Sequence, residues 1–271
     1  MKQQFNHLLC HSFTFSQCSL KNIIFDDNSK LQSIHQSSFS QSKIENISIP
    51  SNVTGIFYCA FSSCKNLKKL NIPENSRLKF IDSYAFGHSS IEDLHIPANL
   101  IELREGWCQN TPKLVDIKLS PENKEYKYLD NNRKMIIGKS NKNSKDFDIL
   151  VFTCRDITLA FIPSYIKRIC SYCFENCNNL TKVEFEKNSM LVSFGTGAFK
   201  SSQIELILIT SHVKHIEKSC FENCRNLMNI EFNIEFEENP ELFVIDKYAI
   251  KGTKISEKSI PSNVKIDLKE Y

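Results

Sequence analysis

Residues 49–73 read IPSNVTGIFYCAFSSCKNLKKLNIP, and this one stretch contains the whole grammar of the chain. Leu70 and Ile72 stand two apart, the period of a strand with one buried face, and Leu67 precedes them by three. Pro50 and Pro73 close each strand-like piece, because proline cannot donate to a ladder and fixes φ near −65°. Pro97, Pro163 and Pro261 hold the equivalent place elsewhere. Between the prolines come an apolar pair three apart, Val53 and Ile56, and then an aromatic anchor, Phe61. Five further sets follow the template: Leu78, Ile81, Phe86; Leu100, Leu103, Cys108; Ile166, Ile169, Phe174; Leu191, Phe194, Phe199; Val213, Ile216, Phe221.

Aligning the chain on the anchors Phe15, Phe39, Phe61, Phe86, Cys108, Phe174, Phe199, Phe221 and Ile250 gives spacings of 24, 22, 25, 22, 66, 25, 22 and 29. The 66 is three times 22, and the 29 absorbs the near-duplication NIEFNIEF at 229–236. Two unit types alternate, one like FENCNNLTKVEF (174–185) and one a residue shorter, like FGHSSIEDLHIP (86–97). A single turn of this size cannot bury its own apolar face, so neighbours must stack into a continuous core. The predicted fold is a leucine-rich-repeat solenoid: an α/β-type right-handed superhelix with a parallel sheet of short strands, few or short helices, and about ten repeats of 22–25 residues. It forms a single domain over 1–271, with stacked phenylalanines as its spine.

Composition agrees. With 271 residues, 41% hydrophobic and 24% charged, the chain buries a large core. It has only 7 glycines against 20 phenylalanines, so its turns must be made by other residues. A net charge of +3 without one-sign clustering argues against nucleic acid as a partner. The N-terminal MKQQFNHLLCHSFTF has no signal-peptide pattern, and no apolar run approaches the roughly 20 residues of a membrane span.

After the strand marked by Leu114, Ile117 and Leu119, the stretch at about 120–155 departs from the repeat. It reads as short strands around the turn Asp130, Asn131, Asn132 and the polar loop Lys139 to Lys145, a hairpin-like insertion. Ile157, Ala160, Ile162 and Pro163 resume the pattern.

The units quoted above, with IPSNV again at 260–264, resemble the BspA-like (Treponema pallidum type) leucine-rich repeat family, whose members are described as surface antigens or adhesins of bacteria and protozoan parasites. NKEYKYLD followed by MIIGK is similar to a non-repeat stretch of such proteins. The resemblance implies a curved solenoid with a parallel sheet and transfers no catalytic residue.

Eleven cysteines invite a disulfide or zinc reading, but Cys18, Cys64, Cys177 and Cys224 all stand three after an anchor, and Cys173 and Cys220 one before it. Repeat register thus explains two members of the ligand-like set Cys170, Cys173, Cys177. Gly138, Lys139, Ser140 lacks the first glycine of a phosphate loop, and Gly195, Thr196, Gly197 lacks the third of a dinucleotide fingerprint. His212 and His215 flank Val213 and precede Ile216 at solvated positions. The sequons at Asn46, Asn52 and Asn179 are about as many as chance gives. No catalytic, cofactor-binding or metal site is expected.

The strand positions between inward-pointing residues are mostly polar, as in Asn46/Ser48, Lys69/Asn71 and Asp93/His95. Leu159, Phe161, Leu206 and Leu208 break the rule within three neighbouring turns. An exposed apolar patch on a polar face marks a protein-binding site, unless the insertion folds back and covers it. The expected function is non-enzymatic binding of protein, either as a surface antigen or adhesin attaching to host or cell-surface macromolecules, or as an intracellular scaffold. The family resemblance implies the cell surface, and the missing signal pattern favours the cytoplasm. Chain ends that stop in mid-repeat leave open edges that could also support self-association.

Overall fold

The computed structural model describes residues 2–5, 11–26, 28–129, 131–232, 243–256, 260 and 264–267, and divides into two compact units, Met1–Lys134 and Met135–Tyr271. Pro261, Cys10, Asp130 and residues 233–236 of the duplication lie outside the described residues.

Each coil has three sides. The first is the strand read from L-x-x-I-x-I. In unit 1 these strands are Asn22–Phe25, Asn46–Ser48 and Lys69–Asn71, then Asp93–Ile96 paired with Asp116–Leu119. In unit 2, Leu159–Ile162 pairs with Lys182–Phe185, and Leu206–Ile209 with Asn229–Phe232. All are parallel and in register, so Ile47 lies between Ile23 and Leu70, and Ala160 lies beside Val183. These inward positions are buried.

The second side is a ladder of two-residue strands at the apolar pair. Ile34, Ile56, Ile81 and Leu103 line up in unit 1, and Ile169, Phe194, Ile216 and Ile245 in unit 2. Among the described residues there is no helix. The solenoid has about nine turns, against the ten or so expected.

The third side is the anchor, and it explains the scarcity of glycine. Residues two before and two after the phenylalanine anchors adopt positive φ: Ser37 and Gln41 around Phe39, Cys59 and Ser63 around Phe61, Tyr84 and His88 around Phe86, Tyr172 and Asn176 around Phe174. An L-residue in this conformation costs about 1–2 kcal/mol. Hydrogen bonds within the turn and to the next coil offset the cost, each worth about 0.5–1.5 kcal/mol. Around Phe61, the Ala60 N–H donates to Phe57 O at 3.1 Å and the Ser62 N–H to Cys59 O at 3.0 Å. Across coils, the Phe61 N–H reaches Ala85 O and the Ser63 N–H reaches Gly87 O, both at 2.7 Å. The anchor rings stack as expected, Phe15, Phe39, Phe61 and Phe86 at 5.2, 5.1 and 5.6 Å, and Phe174, Phe199 and Phe221 at 4.8 and 5.5 Å. At Cys108 the stack gives way to an edge contact of Phe86 with Trp107 at 6.3 Å.

Within the departing stretch, Met135–Gly138 and Ile149–Thr153 form an antiparallel hairpin. Ile149 and Leu150 then pair in parallel with Arg168 and Ile169, so the hairpin enters the second-side ladder. Asp148 closes its loop by accepting the Ser140 N–H at 2.9 Å, the Ser140 hydroxyl at 2.8 Å and the Lys167 ammonium at 3.1 Å. Burial pushes the Asp148 carboxyl up, but these three donors outweigh it and hold the group below its usual value.

Candidate functional site

Alternation along a strand sends Ala160 and Ile162 inward and Leu159 and Phe161 outward, leaving the latter two 50% and 49% exposed. Leu206 is 38% exposed by the same rule. Leu208 is half-buried, so it contributes less surface than the other three. The insertion does not cover the patch, because its hairpin joins the second-side ladder instead of folding over the first-side strands.

The four residues do not form one continuous area. The intervening turn carries Lys182 and Glu184, whose side chains form an ion pair with each other. Leu159 and Phe161 lie in register with Lys182 and Glu184 on the turn that follows, and Leu206 and Leu208 with Asn229 and Glu231. The site is therefore two apolar bars separated by a self-neutralised charged bar. Glu186, Glu205 and Glu231 are exposed around it. The Ser164 backbone N–H, 2.7 Å from Glu186 Oε2, holds the Glu186 carboxyl below its usual value.

The same face of unit 1 is polar except for Ile24, 45% exposed. One shallow groove of about 360 Å³ is lined by Asn22, Ile24, Asn46, Ser48, Lys69 and Asn71. A second, of about 390 Å³, includes Lys69, Glu74, Asp93, His95 and Lys118. His95 is tied down there, with Nδ1 2.9 Å from Ile72 O and Nε2 3.5 Å from Glu74.

The remaining sequence candidates take structural places. The buried Cys64 and Cys224 thiols donate to the carbonyls of the preceding anchors, Phe39 at 3.0 Å and Phe199 at 2.9 Å. Burial pushes the Cys64, Cys177 and Cys224 thiols up to about 11. Cys173 lies 3.4 Å from the Thr153 hydroxyl, and Cys177 faces Cys154 O. His212 and His215 are exposed, whereas the Glu217 carboxylate is occupied by the Thr196 N–H and hydroxyl and by Arg168. Gly195 lets two coils approach, since a Cβ there would lie 2.6 Å from Ser171 N. Ser140 of the Gly138, Lys139, Ser140 run belongs to the Asp148 loop closure.

Two arrays have no counterpart in the sequence reading. Asn52, Asn99 and Asn123 each donate a side-chain amide to a backbone carbonyl of the preceding coil, at 3.0, 2.7 and 2.8 Å. The Asn two residues after the strand-ending Pro50 and Pro97 was the available signal for the first two, whereas Asn123 stands three after the equivalent Ser120. On the outer side of the second ladder of unit 1, His11, His35, Phe57 and Phe80 form a ring row, with the Arg104 guanidinium 5.5 Å from the Phe80 centroid.

Stacked parallel two-stranded coils around an aromatic spine define a leucine-rich-repeat solenoid. The chain belongs to the BspA-type leucine-rich repeat family, whose repeat region matches residues 10–129 and 149–270 in six copies. The unmatched residues between these spans hold most of the hairpin.

Solved structures with the same fold include the pneumococcal vaccine antigen PcpA, with a TM-score of 0.71 and 21% identity over 94% of this chain and 70% of that one. A leucine-rich cell surface protein from Faecalibacterium prausnitzii A2-165 has a TM-score of 0.66 and 19% identity over 96% and 80%. A leucine-rich repeat protein from Eubacterium ventriosum ATCC 27560 has a TM-score of 0.66 and 20% identity over 91% and 81%. No curated protein matches the sequence. Among the described residues no helix is long and apolar enough to cross a membrane, and no three His, Cys, Asp or Glu side chains converge as a metal site would require.

Proposed function

We propose that the chain is a non-enzymatic protein-binding repeat protein of the surface-antigen type, attaching to host or cell-surface macromolecules through the outer side of its first-side strands. The observation that carries the reading is the half-exposed pair Leu159 and Phe161, with Leu206 two coils further on, on a face that is mostly polar. Apolar side chains of this size at solvent cost nothing to replace by polar ones in a solenoid that only has to fold, so their presence speaks for a partner. Membership of the BspA-type family and likeness in fold to a vaccine antigen and a cell surface protein support the surface location.

A second reading, an intracellular scaffold, is favoured by the thiols. Among the described residues the buried Cys64 and Cys224 are thiols that serve as hydrogen-bond donors. Thiols persist most readily in a reducing compartment. Antibody labelling of intact and permeabilised cells separates the two. Signal on intact cells supports the surface reading, and signal confined to permeabilised cells replaces it with the scaffold.

A further inference from the structure

We infer that the patch of unit 2 is a dock for a basic amphipathic helix laid along the stacking direction of the coils. The inference rests on the protein-binding reading above and specifies the partner's chemistry.

Spacing selects a helix over a strand. Leu159 and Phe161 lie two residues apart on one strand, about 7 Å. Leu206 and Leu208 repeat that pair two coils further on, and coils stack at about 4.8 Å, so the two apolar bars are about 10 Å apart. A helix presents residues i and i+7 on one face about 10.5 Å apart. Its residue i would sit between Leu159 and Phe161, and residue i+7 between Leu206 and Leu208. An extended strand running the same way repeats on one face every 7 or 13 Å or so, and meets only one bar at a time.

Charge selects the helix's flanks. Over the middle bar, residues i+3 and i+4 would face Lys182 and Glu184, which already neutralise each other. The exposed surroundings add Glu186, Glu205 and Glu231 against Lys187, a net negative rim. Lysine or arginine on either side of the apolar stripe complements it, and carboxylates there are repelled.

The test is a selection of random 16-residue peptides displayed on phage against the whole chain, followed by affinity measurement with the enriched peptides made synthetically. Enrichment of sequences with apolar residues seven apart and basic flanks is expected. Their binding should weaken more than tenfold in Leu159→Asp/Leu206→Asp, and weaken, with a smaller salt dependence, in the surface variant Glu205→Lys/Glu231→Lys. The second variant keeps the test decisive if the first does not fold. Enriched peptides with alternating apolar residues or acidic flanks would overturn the inference, as would basic helical peptides indifferent to both variants. Enriched peptides that map to the polar face around Asn46 would overturn it while sparing the protein-binding reading. A selection that enriches nothing would overturn both.

Discussion

Removing the Phe61 ring tests the stacked spine directly. Phe61 is fully buried, and its ring centroid lies 5.1 Å from that of Phe39 and 5.6 Å from that of Phe86. Phe61→Ala leaves a cavity walled by two rings that neighbouring coils hold in place. Such truncations typically cost about 3–5 kcal/mol, and the walls here are poorly able to collapse, which places this one in the upper half of that range. Each kcal/mol lowers Tm by about 2–4 °C in a chain of this size, so a fall of about 10–15 °C is expected. Asn71→Ala is the control. Asn71 points outward from the next strand of the same coil and makes only a 3.4 Å contact with the Ser48 hydroxyl, so the change should stay within about 0.5 kcal/mol. Circular dichroism melts of both variants, with urea titrations for the free energies, measure the difference. Equal melting temperatures would refute the inward register of the anchors and the account of the core built on it.

Other perturbations probe the remaining sides of the coil. Gly195→Ala should destabilise more than Gly55→Ala in urea titrations, because the new Cβ meets Ser171 backbone at 2.6 Å in the first case and the rotatable Phe80 ring in the second. Ser63→Gly, at φ 59°, should raise stability by up to about 1 kcal/mol by relieving the left-handed conformation, and a loss in thermal melts would contradict the strain assigned to these turns. Burial raises the Cys64, Cys177 and Cys224 thiols to about 11 in the folded chain, so their stabilisation is intact below the unfolded value near 9 and is lost as pH rises towards 11. Melts between pH 8 and 11 should therefore show a steep fall that is shallower in the triple Cys→Ala variant, itself weaker at neutral pH; burial pushes the remaining Cys173 and Cys220 thiols up as well and leaves it part of the fall. Leu206→Glu with Leu208→Glu should stay folded by circular dichroism, and unfolding would make the patch part of the core.

The anchors were legible because one residue type recurs at nearly one spacing, and a buried ring tolerates few substitutes. The second strand was hidden because Val53 and Ile56 are three apart and show no alternation. Only the neighbouring coil, pairing Gly55 and Ile56 with Phe80 and Ile81, makes them a strand. The left-handed turns were equally silent. Cys59, Ser63, Tyr84 and His88 are ordinary residues in sequence, and the bonds that hold them in place come from residues 21–24 positions away. The patch was visible as a break in a polar pattern, yet its division into two bars was not drawn from the sequence. That division follows from Lys182 and Glu184 lying between the two apolar turns, and it is the feature on which the choice of a helical partner depends.

The fold leaves each coil with few positions free to vary. Inward residues are fixed by stacking, the anchor turn by hydrogen bonds to the next coil, and the proline corner by the end of the strand. What remains is the outward pair on each first-side strand, and it is here that the two units differ most in chemistry. Unit 1 fills the pair with Asn, Ser, Lys, Asp and His apart from the single Ile24, and unit 2 fills two of its four pairs with Leu and Phe. Neither choice is demanded by the core, because Ile47, Leu70, Ala160 and Ile207 are buried behind both kinds of surface. A difference that the fold does not require is where selection for binding leaves its mark, so charge introduced at Leu159 should weaken a partner while leaving the melting temperature nearly unchanged.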